Sequence, residues 1–251
     1  MLTILLPAYN EEAALPKLIP ALAGALGAMA YRILVVDDGS TDRTVAVATS
    51  FSSNMQIVVE SHGVNKGLGQ AMATGFAWCV THQVQADDVV VALDADNTHP
   101  PMLIPEMCLR IRNDQADVVI ASRYAPGGEE VGLSTFRRIT SRGASWLLRL
   151  FFPIPGARDY TCGFRAYGIS MLGKAMDHYG PDFVSERGFA CMAEILIRLS
   201  FLGAGVTEVP LVLRYDLKEG ASKMKVIKTI GQYLGLIRKL RRVRGQLNRN
   251  H

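Results

Sequence analysis

Along the first half of the chain, short apolar runs alternate with longer stretches. The runs "LTILLP" (2–7), "RILVVDD" (32–38), "MQIVVE" (55–60), "DVVVALDAD" (88–96) and "ADVVIAS" (116–122) are rich in β-branched residues and almost continuously apolar. Such runs predict strands covered on both faces. Between them, residues 11–28, 41–52, 67–82 and 101–113 are each long enough for a helix. This alternation predicts an α/β fold, a mostly parallel central sheet with helices on both faces. In such sheets ligands sit beyond the carboxyl ends of the strands.

The polar clusters fall at those ends. "AYNEE" follows the first run, "DDGSTD" the second, "SHGVNKG" the third and "DADNTH" the fourth. Exposed loops are polar in any case, and Ser40 and Thr41 are expected helix N-caps. Capping accounts for one acidic or hydroxyl residue per loop. It leaves Asp37 and Asp38 together with Asp94 and Asp96 unexplained, so the edge is read as functional.

The second half is less regular. Residues 124–138, "YAPGGEEVGLSTFRR", are Gly-rich and predict a mobile loop. Residues 141–152 form an amphipathic, aromatic-rich segment. "DYTCGFRAY" (159–167) predicts a turn and a short strand, 183–201 a largely helical stretch, and "GVTEVPLVLRY" a strand. No internal repeat or dividing linker is visible.

Composition narrows the class. Hydrophobic residues are 49% and charged residues 20% of 251, enough for a packed core. The net charge of +4 is mild and concentrated at the C-terminal end, and no nucleic-acid partner is expected. Four scattered cysteines without a C-x-x-C pair predict reduced thiols in a cytosolic compartment rather than disulfides or a zinc site. No signal peptide is expected, because "MLTILLPAYNEE" lacks a basic start and breaks at Pro7. No uncharged apolar run is long enough for a transmembrane helix.

The fourth run ends in two carboxylates. In an extended segment Asp94 and Asp96 face the same side, with the small Ala95 between them. Like charges this close repel unless a cation sits between them. A hard divalent ion, Mg²⁺ or Mn²⁺, bound through oxygens and keeping water or phosphate ligands, suits the pair. The competing reading is an aspartate pair that caps the helix starting near Pro101. For His99, a metal or phosphate contact competes with simple packing on Pro100 at the helix entry.

Taken in order, "PAYNEE", "VVDDGSTD", "NKGLGQAMATGF", "ALDADNTHPP", "ASRY", "RRITSRGAS" and "DYTCGFRAY" resemble an inverting glycosyltransferase of family 2. Within it they are most similar to dolichyl-phosphate and polyprenyl-phosphate mannose synthases. The resemblance covers residues 1–225 and implies a GT-A fold, with a nucleotide-sugar half (1–122), an acceptor half (123–225) and a basic amphipathic helical tail (226–251). It implies that Pro7, Tyr9 and Glu11 contact the nucleoside, and that Asp37 binds base or ribose with help from Asp38. Asp94, beside Ala95, would approach ribose or metal, and Asp96 would bind the metal. Thr98 stands where family members often carry a further metal-shell glutamine or serine. In "RRITSRG", Arg137 and Ser141 would hold the lipid phosphate. Glu194 matches a glutamate near the family's active centre, and pairing with Arg187 or Arg198 is its structural alternative. The family usually has a diphosphate-clamping arginine shortly before G-x-S-K. In "RYDLKEGASKM" the register differs, with Leu217 near the expected place, so Arg214 or Lys218 would substitute, with Ser222 and Lys223.

The implied reaction moves a sugar, mannose from GDP-mannose, onto a polyprenyl or dolichyl phosphate. The alternatives are transfer from UDP-glucose or another UDP-sugar, or a non-catalytic nucleotide-sugar-binding protein. The lack of Q-x-x-R-W and of channel-forming spans argues against a processive synthase, and the lack of G-x-G-x-x-G after the first run excludes a dinucleotide dehydrogenase. A prenyl phosphate sits in a bilayer, so the protein is expected on the cytoplasmic face of a membrane. "SWLLRLFF" (145–152), with Trp146, Leu147, Leu150 and Phe151, is one contact segment. The tail is the other, with apolar Val226, Ile230, Tyr233, Leu234, Ile237 and Leu240 between basic residues. Packing of the tail's stripe on the domain, or binding to a small membrane subunit, are the competing readings.

Overall fold

The computed structural model describes residues 1–113, 116–217 and 226–247. The apolar runs become β1 (Leu2–Ala8), β2 (Tyr31–Asp37), β3 (Ile57–Ser61), β4 (Val89–Ala92) and β5 (Val118–Ser122). The stretches between them hold α1 (Leu15–Leu26), α2 (Thr44–Ser50), α3 (Leu68–Thr81) and α4 (Ile104–Asn113), the last preceded by a 3-10 turn at Pro101–Leu103. The rest of the chain adds β6 (Glu129–Val131), α5 (Thr135–Phe151), β7 (Arg165–Gly168), α6 (Ile169–Tyr179), α7 (Cys191–Phe201), β8 (Val206–Pro210), β9 (Val212–Arg214) and α8 (Val226–Leu247).

Seven strands form one sheet in the order β3-β2-β1-β4-β7-β5-β8. All neighbours are parallel except β7, which runs antiparallel to both β4 and β5. β6 and β9 form a separate parallel pair. The continuous apolar pattern has its physical reason here: every residue of β4 and β5 is buried, and only Pro7 of β1 is not. Burial of each large aliphatic side chain in these strands contributes about 1.5–3 kcal/mol.

Several expectations change. α2 starts at Thr44, so neither Ser40 nor Thr41 caps it. The Asp42 carboxylate takes the Thr44 N–H (2.9 Å) and hydroxyl instead. Ser40 accepts the Asn10 N–H (2.9 Å) and the Thr41 N–H reaches the Asn10 side-chain oxygen (2.8 Å), so the two residues stitch the β1 and β2 loops together. Residues 124–138 are not one loop, since β6 and the start of α5 lie within them. The helix foreseen over 183–201 begins only at Cys191. "GVTEVPLVLRY" splits at Leu211 into β8 and β9, which belong to different sheets.

The C-terminal helix is present, and Tyr233, Leu236, Ile237 and Leu240 are buried on the domain. Its apolar stripe therefore packs inward, while Leu234 is half exposed. Val226 and Ile230 carry side chains outside the described set. No described helix is long and apolar enough to cross a membrane.

Candidate active site

The loops after β1, β2, β3 and β4 meet at the carboxyl edge of the sheet, where they border a cavity of about 740 Å³. Two of them turn through asparagines in the left-handed region, Asn10 at φ 53° and Asn97 at φ 62°. Asparagine tolerates this conformation better than other L-residues with side chains of its size. The strand before Asp94 stops at Ala92, and residues 95–96 form a turn. The pleat of an extended strand is therefore not what aims the two aspartates. The turn does so, and both line the cavity together with Ala95.

Asp96 is 6% exposed. Its Oδ1 accepts the Thr98 hydroxyl at 2.6 Å and the Thr98 N–H at 3.2 Å. The Asp94 N–H donates to Nδ1 of His99 (3.2 Å), which places the ring proton on Nε2. The His99 ring stacks on Phe164 with centroids 5.2 Å apart, so its packing partner is that phenylalanine. Gly163 closes the far side: a Cβ there would lie 3.2 Å from Asp94 Oδ1.

Among the described residues no group of three or more His, Cys, Asp or Glu side chains is disposed to hold a metal alone. Two carboxylates at a cavity wall nevertheless suit Mg²⁺ or Mn²⁺, because such ions are commonly held by one or two carboxylates and completed by phosphates and water. The donor set thus fits a metal that arrives with a diphosphate.

Pro7, Tyr9, Glu11 and Asp38 also line the cavity. Asp38 organises the next loop. It receives the Lys66 and Gly67 N–H groups, each at 2.8 Å, and His62 Nδ1 lies 2.9 Å from its Oδ1. His62 Nε2 in turn meets Thr74 Oγ1 at 2.9 Å. Asp37 is 2% exposed, and its carboxylate takes the Ser40 N–H (3.1 Å) and the Ser61 hydroxyl (2.8 Å). It is not among the lining residues, so here it braces the loop rather than facing the cavity.

Residues beyond β5 supply the rest of the lining. Arg123, just past β5, is clamped by Asp159 through two bonds of 2.7 Å and donates to Thr161 at 2.7 Å. Burial alone would raise the Asp159 carboxyl, but the guanidinium of Arg123 holds it below the usual carboxylate range. Ser141 lines the cavity from α5 and accepts the Tyr124 hydroxyl at 2.9 Å. Arg137 belongs to the first turn of the same helix, but its side chain lies outside the described residues, as do Lys218 and Lys223.

Arg214 is exposed at the end of β9 and grips Asp216 through bonds of 2.9 and 2.7 Å. It does not line the cavity, although its neighbours Leu213 and Tyr215 do. Glu194 is also off the wall. It is fully buried and takes the Ser185 N–H (2.9 Å), the Glu186 N–H (2.8 Å), the Ser185 hydroxyl (2.5 Å), Arg198 (3.1 Å) and Lys239 (3.2 Å). This is the structural pairing with Arg198, and it shapes the loop that brings Arg187 to the cavity.

Three cations on the wall had no ligand role assigned from the sequence: Lys66, Arg123 and Arg187, the last considered there only as a partner for Glu194. Arg123, in "ASRY", directly follows a predicted strand, and Lys66, in "NKG", stands in the loop after another, where position alone marks them. Arg187 follows no strand, and nothing local signals it. Gln232 of α8 completes the wall.

A sequence model of the family described as "Glycosyl transferase family 2" matches residues 3–179. The dolichol-phosphate mannosyltransferase of Pyrococcus furiosus is 34% identical over 98% of this chain, which spans 65% of that relative's length. The undecaprenyl-phosphate mannosyltransferase of Micrococcus luteus is 34% identical, over 89% of this chain and 87% of its own. The polyprenol monophosphomannose synthase of Mycolicibacterium smegmatis is 32% identical, over 88% and 80%. Among solved structures, glucosyl-3-phosphoglycerate synthase from Mycobacterium tuberculosis, in complex with Mn²⁺, uridine diphosphate and phosphoglyceric acid, superposes with a TM-score of 0.68 at 20% identity. That match covers 96% of this chain and 77% of the other, and it identifies the fold as GT-A. With more than two thirds of its residues inside the family match, and relatives above 30% identity along most of its length, this chain belongs to glycosyl transferase family 2.

Proposed function

We propose that the protein transfers mannose from GDP-mannose to the phosphate of a polyprenyl or dolichyl lipid, with inversion at the sugar carbon, at the cytoplasmic face of a membrane. The observation that carries this reading is that the three relatives at 32–34% identity all bear names of prenyl-phosphate mannose enzymes.

The cavity supports the chemistry. An acceptor phosphate monoester has its second pKa near ~6, so the nucleophile is already an anion and needs no strong general base. Departure of the nucleoside diphosphate is then the main barrier. Negative charge grows on that group, and fixed cations in a partly dry site stabilise it. Lys66 and Arg187 are lining cations available for it. Asp94 and Asp96 would hold Mg²⁺ or Mn²⁺, and the bound ion supplies positive charge to the diphosphate. Arg123, Ser141 and Thr161 line the same cavity and suit the acceptor phosphate, with Arg137 joining them by family resemblance. Donor and acceptor phosphates held in one cavity would be positioned for an in-line displacement.

The test is direct. Purified protein, vesicles containing a long-chain prenyl phosphate, Mn²⁺ and labelled GDP-mannose should yield label in the organic phase, while labelled UDP-glucose yields little. Transfer from UDP-glucose in preference to GDP-mannose would overturn the donor, and no transfer from any nucleotide sugar would overturn the enzyme reading.

A further inference from the structure

Glu130 is the buried middle residue of β6, and among the described residues neither of its carboxylate oxygens receives a hydrogen bond. The strand is pressed against the backbone of Arg123: a Cβ on Gly128 would lie 2.7 Å from the Arg123 carbonyl oxygen. Across the pair of strands Glu130 stands opposite Leu213, which lines the cavity. Arginines converge on it from two elements. Arg123 Nη1 is 3.5 Å from Oε1, Arg142 Nε is 3.7 Å from Oε2, and Arg138 donates to the Glu130 carbonyl oxygen. The other charged groups nearby have partners of their own, Asp159 in Arg123 and Arg214 in Asp216. Buried polar groups are nearly always hydrogen-bonded, so a buried carboxylate that is not calls for a reason.

Arg123 supplies that reason. Asp159 takes its Nε and Nη2, each at 2.7 Å. Nη1 is left with Glu130, at an ion-pair distance too long for a hydrogen bond. Arg123 lines the cavity, and a phosphate oxygen at the usual charge-assisted distance of about 2.7–2.9 Å would be a better partner for Nη1 than Glu130 is. A phosphate monoester is largely a dianion at neutral pH. An anion brought to Arg123 also comes close to Glu130, and two like charges on one guanidinium push one of them to its neutral form. The carboxylate is the one that yields, because no hydrogen bond holds its charge. Burial already pushes its carboxyl up, and Arg123 and Arg142 offset the rise only in part.

We propose that Glu130 is a positioning residue for the acceptor phosphate: it holds Arg123 and Arg142 in the free protein and takes up a proton when a phosphate monoester binds Arg123. The proton comes from solvent and returns to it, and no bond of either substrate changes in this step. After transfer the lipid carries a phosphodiester, with one negative charge in place of two. The repulsion on Glu130 then falls, the carboxyl ionises again, and it competes with the product for Arg123. The inference deepens the functional reading above and rests on it for the identity of the phosphate.

The experiment uses the full chain with Glu130→Gln, which removes the charge, and Glu130→Asp, which keeps it. Calorimetric titration with a short-chain, water-soluble prenyl phosphate at about pH 7.5, in two buffers of different ionisation enthalpy, counts the protons exchanged on binding. Contact with arginines favours the phosphate dianion, so the ligand itself can only release protons. The parent should show net uptake, Glu130→Gln should show none, and Glu130→Asp should restore it. In steady-state transfer, KM for the prenyl phosphate should be about three- to tenfold higher in the parent than in Glu130→Gln at about pH 8, and the two should converge as pH falls toward about 5. KM for the nucleotide sugar should be the same in both. Equal proton counts in parent and Glu130→Gln would overturn the proposal and leave the functional reading standing. So would a shift of both KM values by one factor, which a purely structural residue would give. Should Glu130→Gln not fold, the parent alone decides, since binding without proton uptake also overturns the proposal. A prenyl phosphate that binds neither protein would refute the functional reading, and this assignment with it.

Discussion

Lys239 Nζ lies 3.2 Å from Glu194 Oε1 and also donates to the Ser185 hydroxyl, which fastens the C-terminal helix to the loop beside the cavity. Burial alone would raise the Glu194 carboxyl. The Ser185 hydroxyl, the Glu186 N–H, Lys239 and Arg198 outweigh that and hold it below its ordinary value. A depressed folded value means that the stabilisation is complete above the unfolded value of 4.5 and is lost as pH falls through the folded one. Glu194→Gln should therefore flatten the acid limb of the stability curve, measured by urea unfolding from about pH 7 to pH 3. Glu194→Ala should cost about 3–5 kcal/mol at neutral pH, because it strands the buried Arg198. Lys239→Met should cost about 1 kcal/mol or less, because its side chain is 39% exposed. An unchanged acid limb in Glu194→Gln would remove the carboxylate from this role.

The first half of the fold was legible because each of its elements announces itself locally. A buried parallel strand needs apolar residues on both faces, and β1, β2, β4 and β5 have them. The second half depends on long-range contacts. "GGEEV" carries no strand pattern, yet Glu129–Val131 pairs with Val212–Arg214 far along the chain. Residues 184–190 resemble a helix in composition, but Glu194 draws the Ser185 and Glu186 N–H groups to itself. Side-chain roles were less legible than positions. Asp37 and Asp38 are adjacent and identical, and only the partners Ser61 and Lys66 separate one that braces a loop from one that faces the cavity. Arg187 reaches the wall on a loop ordered by Glu194 and by α3, and a local motif cannot encode that.

Glu130 is 2% exposed, and among the described residues no hydrogen bond reaches either of its carboxylate oxygens. Arg123 lies 3.5 Å away and Arg142 3.7 Å away. Burial pushes the carboxyl up, and these arginines offset the rise only in part. A raised folded value means that this group's contribution is most favourable below the unfolded value and declines as pH rises through the folded one. Ionised Glu130 should therefore weigh against the fold at neutral pH. Glu130→Gln should stabilise the protein by about 1 kcal/mol at pH 7 and lose that advantage near pH 4. Differential scanning calorimetry at the two pH values checks this, and a substitution that destabilises at both would show the ion pairs outweighing the burial.

The start of α3 crosses the loop at 186–187 with no room for a side chain. A Cβ on Gly69 would lie 1.8 Å from the Glu186 carbonyl oxygen, and the Gly69 N–H donates to the Arg187 carbonyl at 3.0 Å. Gly69→Ala should cost about 1–3 kcal/mol or more and should lower kcat/KM by displacing Arg187. Gly188→Ala is the control on the same loop. Its Cβ would meet only the end of the Gln232 side chain, at 2.9 Å, which can swing away. That variant should stay within about 1 kcal/mol of the parent. Equal losses in both variants would locate the sensitivity in the loop at large rather than at the crossing.

The Thr98 hydroxyl, 3% exposed as a residue, sits 2.6 Å from Asp96 Oδ1 and orients the carboxylate proposed to hold the metal. Groups that orient a ligand in this way typically affect metal affinity or activity by about 10–100-fold. Thr98→Val keeps the shape and removes the donor, while Thr98→Ser keeps the donor. The valine variant should need about 10–100-fold more Mn²⁺ for half-maximal transfer. The serine variant should titrate close to the parent. Asp96→Ala should abolish transfer at every Mn²⁺ concentration while unfolding cooperatively, because its carboxylate is at the cavity wall rather than in the apolar core. Activity against Mn²⁺ concentration, with thermal unfolding of each variant alongside, separates metal loss from misfolding. A valine variant with an unaltered Mn²⁺ requirement would show that the backbone N–H alone, 3.2 Å from the same oxygen, aims the carboxylate.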